Sequence, residues 1–549
     1  PNPPSKIVPR TSLVRELKLA YNRSKSRNSH QRGEQMMAQG VLPFRYEVEP
    51  TASGMTALAG LPAYLELAAV SGLTSSIRRH LRVCAEKKQG WTDAQIVMAL
   101  ILLNLAGGDS VDDLQKLQGD KGFAQVLRRV EMHGLRRRER REQERRWRKE
   151  RKRAVPSPPA VFRYLLAFAD PEEEKKRAAG RAFIPAPNQH LQALGRVNAD
   201  LLRFGQRKSP ERQATLDQDA TVVETNKEDA LFCYLGHKAY QPLTIYWAEQ
   251  ATAVISELRD GNVPASYGNL RQVEEALAVL PEGVVKVYYR GDTASYQREL
   301  LQYCAEGKNE RFGVIEFAVG VDVTPEFKRS VAEVKEAEWH QLEREVDGKM
   351  VPTGQEWAEV CFVPNWTATS KKGPTYRFLA IRELLQQAEM PGLEAQLPFP
   401  TMTFDEKRYK LFGLVTNRDM PGDELIWWSR KRCGKGEEMH KIMKEDLAGG
   451  QLPSARFGAN AAWWSIMVLA FNLNALMKRL VLPKEWAPKR LKAIRFGLIN
   501  LAGRVVSGSR QFAIRLSRGH PAFQLLLELR RRLRALWETG KPVPVVRSP

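Results

Sequence analysis

Cysteine is scarce and unpaired along this chain: five residues in 549, at Cys84, Cys233, Cys304, Cys361 and Cys433, with no two close together. An odd number of isolated thiols excludes a disulfide framework and supplies no zinc module. It suits a reducing compartment, so a cytoplasmic protein is expected. Histidine is also thin, at eight residues, and His237 and His440 stand alone, without a partner at metal-ligand spacing. Long apolar runs are missing too. The longest, 96–103 and 463–476, are too short or, through Asn472 and Asn474, too polar to span a bilayer. No secretory signal is visible, although the chain opens on Pro1 and not on Met. A soluble protein with no membrane partner is the expectation.

Positive charge is abundant. Lysine and arginine number 86 against 63 acidic residues, a net charge of +23. An excess this large argues for a polyanionic partner. Its densest stretch, 136–153, holds twelve basic and four acidic residues with Trp147 as the one apolar side chain. Nothing there can bury a face, so it reads as a solvated helix or flexible arm, with contact to a phosphate backbone as the functional alternative.

Length leaves room for roughly two to four domains. The expected fold is a multidomain α/β protein. Residues 1–45 read as a basic flexible arm, 46–135 as a helical N-terminal domain, and 136–205 as the Arg-rich linker with further helices. Thr92 with Gln95 and Ser110 with Asp113 form capping boxes in the second segment. Ser157 with Pro158 starts another helix in the third.

The centre of the chain carries the chemistry. TLDQDAT at 215–221 and VVKVYYRGDTASY at 284–296 each place an aspartate at the end of an expected strand. Between them Leu243, Ile245 and Trp247 alternate through a second strand, and 254–258 supplies a third. Leu270, Val273, Leu277 and Leu280 recur at helical spacing, ended by Pro281-Glu282-Gly283. After Asp292, 296–304 reads as a helix and 312–319 as a strand. Three strands, helix, strand, helix, strand is the order of a ribonuclease H-like core, here begun at 206–325. A helix at 433–447 (CGKGEEMHKIMKEDL) can add a third carboxylate.

These motifs resemble the DDE transposases of bacterial insertion sequences, specifically the insertion-sequence 1380 group within the insertion-sequence 4 clan. Asp219-Ala220-Thr221 matches the family's Asp-x-Thr, and Arg290-Gly291-Asp292 its Arg-Gly-Asp. The family's third carboxylate stands in a run of Tyr, two residues, Arg, three residues, Glu, six residues, Lys. Counting back from Lys444 gives Glu437. The Tyr and Arg places fall on Arg430 and Cys433, so half of that signature is absent, with Trp428 and Arg432 close by. The resemblance spans about residues 50–535. It implies a β-rich insertion at 326–420, with strands at 357–363, 376–382 and 409–415. It also implies a second part of the core with the glutamate helix at 421–485, and a basic C-terminal region at 486–549. There, 488–518 reads as a strand pair and 521–537 as an Arg-edged helix.

The resemblance implies an enzyme that binds terminal inverted repeats in double-stranded DNA, cuts at the ends and joins them to target DNA, working as a homodimer. Two Mg²⁺ ions, with Mn²⁺ as the expected substitute, would be held by Asp219, Asp292 and Glu437, Asp219 bridging both. Asp217, two residues back on the same strand face, is the rival for the first place. Arg290, Arg430, Arg432, Lys435, Lys441 and Lys444 are the expected DNA contacts. At 100° per residue, Cys433, Glu437, Lys441 and Lys444 share one stripe of the helix, with Met439, Ile442, Met443 and Leu447 facing the core. Trp463 and Trp464 read as core residues, with base stacking as the alternative. A nuclease that never joins DNA and a non-catalytic DNA-binding protein are the competing functions.

Overall fold

β-branched and aromatic residues in the middle of the chain hydrogen-bond ten strands into one mixed sheet. The computed structural model describes residues 54–84, 90–146, 153–368, 376–385, 399–508 and 511–539. The basic arm expected at 1–45 lies outside them, as do residues 147–152 of the Arg-rich run. The chain divides into two units, Pro1–Gly54 and Met55–Pro549, and all but one of the described residues belong to the second.

In chain order the sheet strands are β1 (Gln213–Ala220), β2 (Leu243–Trp247), β3 (Thr252–Glu257), β4 (Lys286–Gly291), β5 (Glu316–Val321), β6 (His340–Val346), β7 (Lys349–Val360), β8 (Arg377–Leu384), β9 (Thr401–Phe404) and β10 (Lys407–Thr416). Their spatial order is β3-β2-β1-β4-β5-β10-β8-β7-β6, with β9 also on β10. β1, β4 and β5 run parallel; β2 and β3 return antiparallel. The expected succession is met, with helices Asn269–Val279 and Arg298–Ala305 in the two crossovers.

The insertion strands do not build a separate sheet. β10 adds antiparallel to the edge of β5, pairing Gly413 with Val321 and Thr416 with Ala318. β8, β7 and β6 then continue outward. Two tight hairpins make this possible: Asp347-Gly348 and Asp405-Glu406 all have positive φ, from 44° to 77°, the conformation whose twist matches the flanking strands. Joining the core edge satisfies a row of backbone groups that would otherwise stand open.

Alternation along β5 divides the two faces. Phe317 and Val319 point to a core built with Val273, Leu277, Leu300 and Leu301 from the crossover helices. Ala318 points to the other side, where Leu425 and Ile426 of the helix Gly422–Lys441 meet Leu379, Ile381 and Leu414. That helix starts eleven residues earlier than expected and ends in a π-turn, Ile442–Asp446.

Behind it runs Phe457–Leu476, in which every residue but Ser465 is buried. Trp463 donates to the Ala448 carbonyl and Trp464 to Ser256 Oγ, so both are core tryptophans. The N-terminal helices Pro62–Val70, Leu73–His80, Asp93–Ala106 and Lys121–Glu131 pack into the same core. The reason is visible in Asp93–Ala106: twelve of its fourteen residues are buried, and a helix apolar all round must be wrapped by neighbours. Among the described residues no single helix is long and apolar enough to cross a membrane.

Local signals hold unevenly. Thr92 and Gln95 form the capping box, whereas Ser110 and Asp113 head only a short 3₁₀ turn. Ser157 precedes Pro158 at a helix start without a side-chain cap bond. The Arg-rich run is helical over Arg137–Arg146 and solvated. The region 488–518 is only half strand. Leu491–Ile494 and a π-turn, Arg495–Ile499, come first. The pair Gly503–Ser507 and Phe512–Arg515 follows, with Met55–Thr56 as third strand. The alternation misled because Arg495 is an interior residue, donating to the carbonyls of Leu105 and Asn104 at the end of another helix. The helix Ala522–Thr539 is where it was expected.

Polar pegs set how the long helix seats on the sheet. Asn472 accepts from Ala253 N at 2.8 Å and donates to the Ala253 carbonyl and to Asn198 Oδ1. It thus covers the outer edge of β3. Replacing Asn472 by Ala orphans the Ala253 N–H and Asn198 Oδ1, at about 1–3 kcal/mol each, while the Ala253 carbonyl keeps its bond from Asn198. Urea unfolding of Asn472→Ala should show the unfolding free energy lowered by at least that much; an unchanged value would refute the peg.

Candidate active site

The site is built by register. β1 and β4 are parallel neighbours, and Asp217 lies opposite Arg290. Two residues further along each strand come Asp219 and Asp292, at the same level and the same sheet end. Asp292 sits just past β4, where its Oδ1 accepts from Ala294 N at 3.0 Å and caps a 3₁₀ turn. Gly291 is needed there, since a Cβ would come within 2.5 Å of Ser295.

The two β1 aspartates have different fates. Asp217 is enclosed, and Arg290 grips it with two bonds of 2.6 and 2.8 Å. The same guanidinium donates to the Trp428 carbonyl at 2.6 Å, tying the helix to the sheet. Arg290, expected among the DNA contacts, is 3% exposed and turned inward. Burial raises the Asp217 carboxyl above its ordinary range, and Arg290 only partly offsets this.

Asp219 is partly exposed and faces the helix Gly422–Lys441. Arg432 Nη1 lies 3.4 Å from its Oδ1, and His440 Nε2 3.5 Å from its Oδ2. Burial alone would raise this carboxyl; His440 and Arg432 outweigh it and hold it below the ordinary value. Asp292 moves the other way. Burial raises it, Arg432 offsets part, and the charge of Asp219 adds to the rise. Arg432 is itself held charged against burial by these carboxylates.

Between Arg432 and His440 stands Gly436, whose absent side chain lets the helix come close: a Cβ would lie 3.0 Å from Asp219 Oδ2. Arg432, Gly436 and His440 are four residues apart, so one stripe of the helix lies on Asp219. That stripe is one position before the expected Cys433–Glu437–Lys441. Glu437 is exposed, 100° round the helix from Gly436. Glu438 is also exposed, on the side of Tyr246 and Lys478, both of which feel its charge. Met439, Ile442, Met443 and Leu447 are buried as expected. Among the described residues no three His, Cys, Asp or Glu side chains stand close enough to hold a metal.

The other basic residues separate by position. Lys435 and Lys441 are exposed. Lys444 reaches the Val222 carbonyl at 3.4 Å, just past the end of β1. Arg430 donates to Gln355 Oε1 of the insertion strand β7 and lies over the ring of Trp427 on its own helix. His440 is the residue that sequence reasoning missed. It had no ligand partner in sequence, and only the helix seating turns it to Asp219. Its ring is buried, and neither nitrogen has a hydrogen-bond partner.

If Arg290 is a structural counter-charge, Arg290→Met should lower stability by about 3–5 kcal/mol, because it leaves Asp217 buried and unpaired. Without its partner the folded-state carboxyl lies above its unfolded value. The loss should therefore be full at neutral pH and fade as pH falls into the carboxylate range. Asp217→Leu with Arg290→Met should recover most of it. Denaturant unfolding at neutral and acidic pH checks all three expectations.

No curated protein matches the chain. Among solved structures, the piggyBac transposase in a synaptic complex with hairpin DNA is similar at 11% identity, with a TM-score of 0.42, covering 91% of this chain and 90% of that one. The family described as transposase DDE domain group 1 matches residues 45–538. With a match over nearly all of its length, the protein belongs to the DDE transposases of that group, enzymes that cleave DNA and transfer its strands.

Proposed function

We propose that this protein is the transposase of a bacterial insertion sequence of the 1380 group, in the insertion-sequence 4 clan, with a ribonuclease H-like core. It binds the element's terminal inverted repeats as a homodimer, cleaves at the ends and joins them to target DNA. The observation that carries this reading is the parallel register that brings Asp219 and Asp292 to one sheet end while Arg290 takes up Asp217. The rival aspartate is thereby occupied, and Asp219 is the one left facing the helix Gly422–Lys441.

Asp219, Asp292 and Glu437 would hold Mg²⁺, or Mn²⁺ in its place. Asp219 and Asp292, at one strand end, are hard oxygen ligands of the kind these ions take, and Arg432 already faces both; Glu437, one position off the stripe on Asp219, would join them on rotation of the helix. When bound, such ions supply Lewis-acid activation of the attacking hydroxyl and neutralise the phosphate. The chain's own residues do the rest. Arg432 and His440 face Asp219 at 3.4 and 3.5 Å, and Gly436 lets their helix lie against it. Lys435, Lys441 and Lys444 offer charge to the DNA backbone along the helix that carries Glu437. Glu437 is favoured over Glu438 because six residues separate it from Lys444, the spacing of the family's run.

Asp219→Ala and Asp292→Ala should each abolish cleavage of DNA carrying the element's ends in Mg²⁺, with DNA binding retained. Glu437→Gln should be inactive and Glu438→Gln active. Cleavage by Asp219→Ala, or an inactive Glu438→Gln beside an active Glu437→Gln, would overturn the assignment. Cleavage without joining to a target plasmid would make the protein a nuclease.

Binding should weaken steeply with salt, at a log–log slope of about −0.9 per phosphate neutralised. Deleting 136–153 should make that slope shallower if the run touches DNA. A binding constant independent of salt would contradict the backbone contacts.

A further inference from the structure

Arg432 and Glu437 ride on the same helix and cannot both meet the aspartates, because five residues set them about 140° apart. The arginine is the one turned inward. Its Nη1 lies 3.4 Å from Asp219 Oδ1 with the side chain 13% exposed, and Asp219 and Asp292 both hold its charge against burial. Glu437 meanwhile stands exposed. Two carboxylates on neighbouring strands need a counter-charge to stay ionised together, and here the chain supplies its own.

The helix has slack for the other choice. It is pinned in the middle, where Arg290 donates to the Trp428 carbonyl, and at its end, where Arg490 holds Asp446. Ahead of the second pin lies the π-turn Ile442–Asp446, with Leu447 N donating to the Ile442 carbonyl at 2.9 Å. A π-turn holds one residue more than an α-turn. Were Leu447 N to donate to the Met443 carbonyl instead, the residues upstream would step on by one place. Cys433, Glu437 and Lys441 would then stand where Arg432, Gly436 and His440 stand now. Gly434, whose Cβ would meet nothing within 4 Å, is a place where the extra residue can be taken up. Asp219 Oδ2, 3.0 Å from a Cβ in the Gly436 place, is the free end of a side chain and can turn aside.

We propose that Arg432 is the built-in counter-cation of Asp219 and Asp292, given up for divalent ions when the helix steps by one residue and brings Glu437 to them. This rests on the metal-dependent DNA-cleaving reading above. The exchange balances charge: a guanidinium leaves, a third carboxylate arrives, and divalent ions offset both. Arg432 then takes the place of Lys431, which is exposed, and its guanidinium is free for a phosphate of the DNA backbone. Guanidinium and metal ion are thus competitors for the same two carboxylates.

The test uses the full chain, with Mn²⁺ as the probe and no DNA. Bound Mn²⁺ is read from loss of the free-ion electron paramagnetic resonance signal, and only binding that Asp219→Asn lacks is counted. Arg432→Gln should bind Mn²⁺ about tenfold more tightly than the wild-type protein, since a competing charge is gone. Arg432→Lys, which keeps the charge, should bind as the wild type does. Without divalent ion Arg432→Gln should melt below the wild type, and Mn²⁺ should restore it more than NaCl of equal ionic strength. The step itself is read at Cys433, which with Cys361 makes up the exposed thiols among the described residues. In Cys361→Ser protein, Mn²⁺ should slow the reaction of Cys433 with N-ethylmaleimide severalfold, and should not do so once Asp219→Asn is added. Equal or weaker Mn²⁺ binding by Arg432→Gln overturns the counter-cation, and an unchanged Cys433 rate overturns the step. If Arg432→Gln folds in neither solution, the Cys433 rate decides alone. No Asp219-dependent Mn²⁺ binding by any of the proteins would instead refute the metal-dependent reading.

Discussion

Two carboxylates at the ends of neighbouring strands repel each other, and the rest of the site is arranged around that repulsion. At a strand spacing of about 5 Å and an effective dielectric near 20, it is worth roughly 3 kcal/mol. The fold offsets it with guanidinium groups in two layers. Arg290 neutralises Asp217 inside the sheet, so a third negative charge is removed from the cluster. Arg432 reaches over from the helix and faces Asp219 at 3.4 Å. The opposite pKa directions of Asp219 and Asp292 follow from this arrangement, since the helix supplies its positive groups mainly to Asp219.

The helix that answers those carboxylates is itself positioned by the insertion. Its first turns sit against β7, where Gly422 packs on the Trp357 ring so tightly that a Cβ would lie 2.1 Å away. Its middle is tied to β4 through the Trp428 carbonyl, and its end runs into a π-turn. That end is fixed by Asp446, which accepts from Arg490 at 2.8 Å. Because β10 continues the core sheet, the insertion strands extend the surface on which this helix lies.

Much of the fold follows from local patterns. Continuous apolar runs gave the central strands, helical spacing gave the crossover helices, and the two aspartate motifs marked the strand ends on which the site forms. The basic excess, the lone cysteines and the solvated Arg-rich helix are compositional facts and need no tertiary structure. The failures share a physical cause. Arg495 and Arg290 look like surface charges in sequence, yet each is buried against partners hundreds or tens of residues away. Periodicity cannot report a partner at such separation.

What the sequence by itself determined, then, is the set of elements and the placing of Asp219 and Asp292, since both depend on side-chain alternation and on a parallel crossover of ordinary handedness. What only the tertiary structure decided is which face of the glutamate helix meets them. The helical pattern of Met439, Ile442, Met443 and Leu447 fixed the buried side to within a broad arc, and Glu437 and Glu438 both lie outside that arc. The choice of Arg432, Gly436 and His440 as the stripe on Asp219 came from close packing, in which a Cβ at Gly436 would lie 3.0 Å from Asp219 Oδ2. A glycine leaves no hydrophobic signal, so sequence periodicity could not find it.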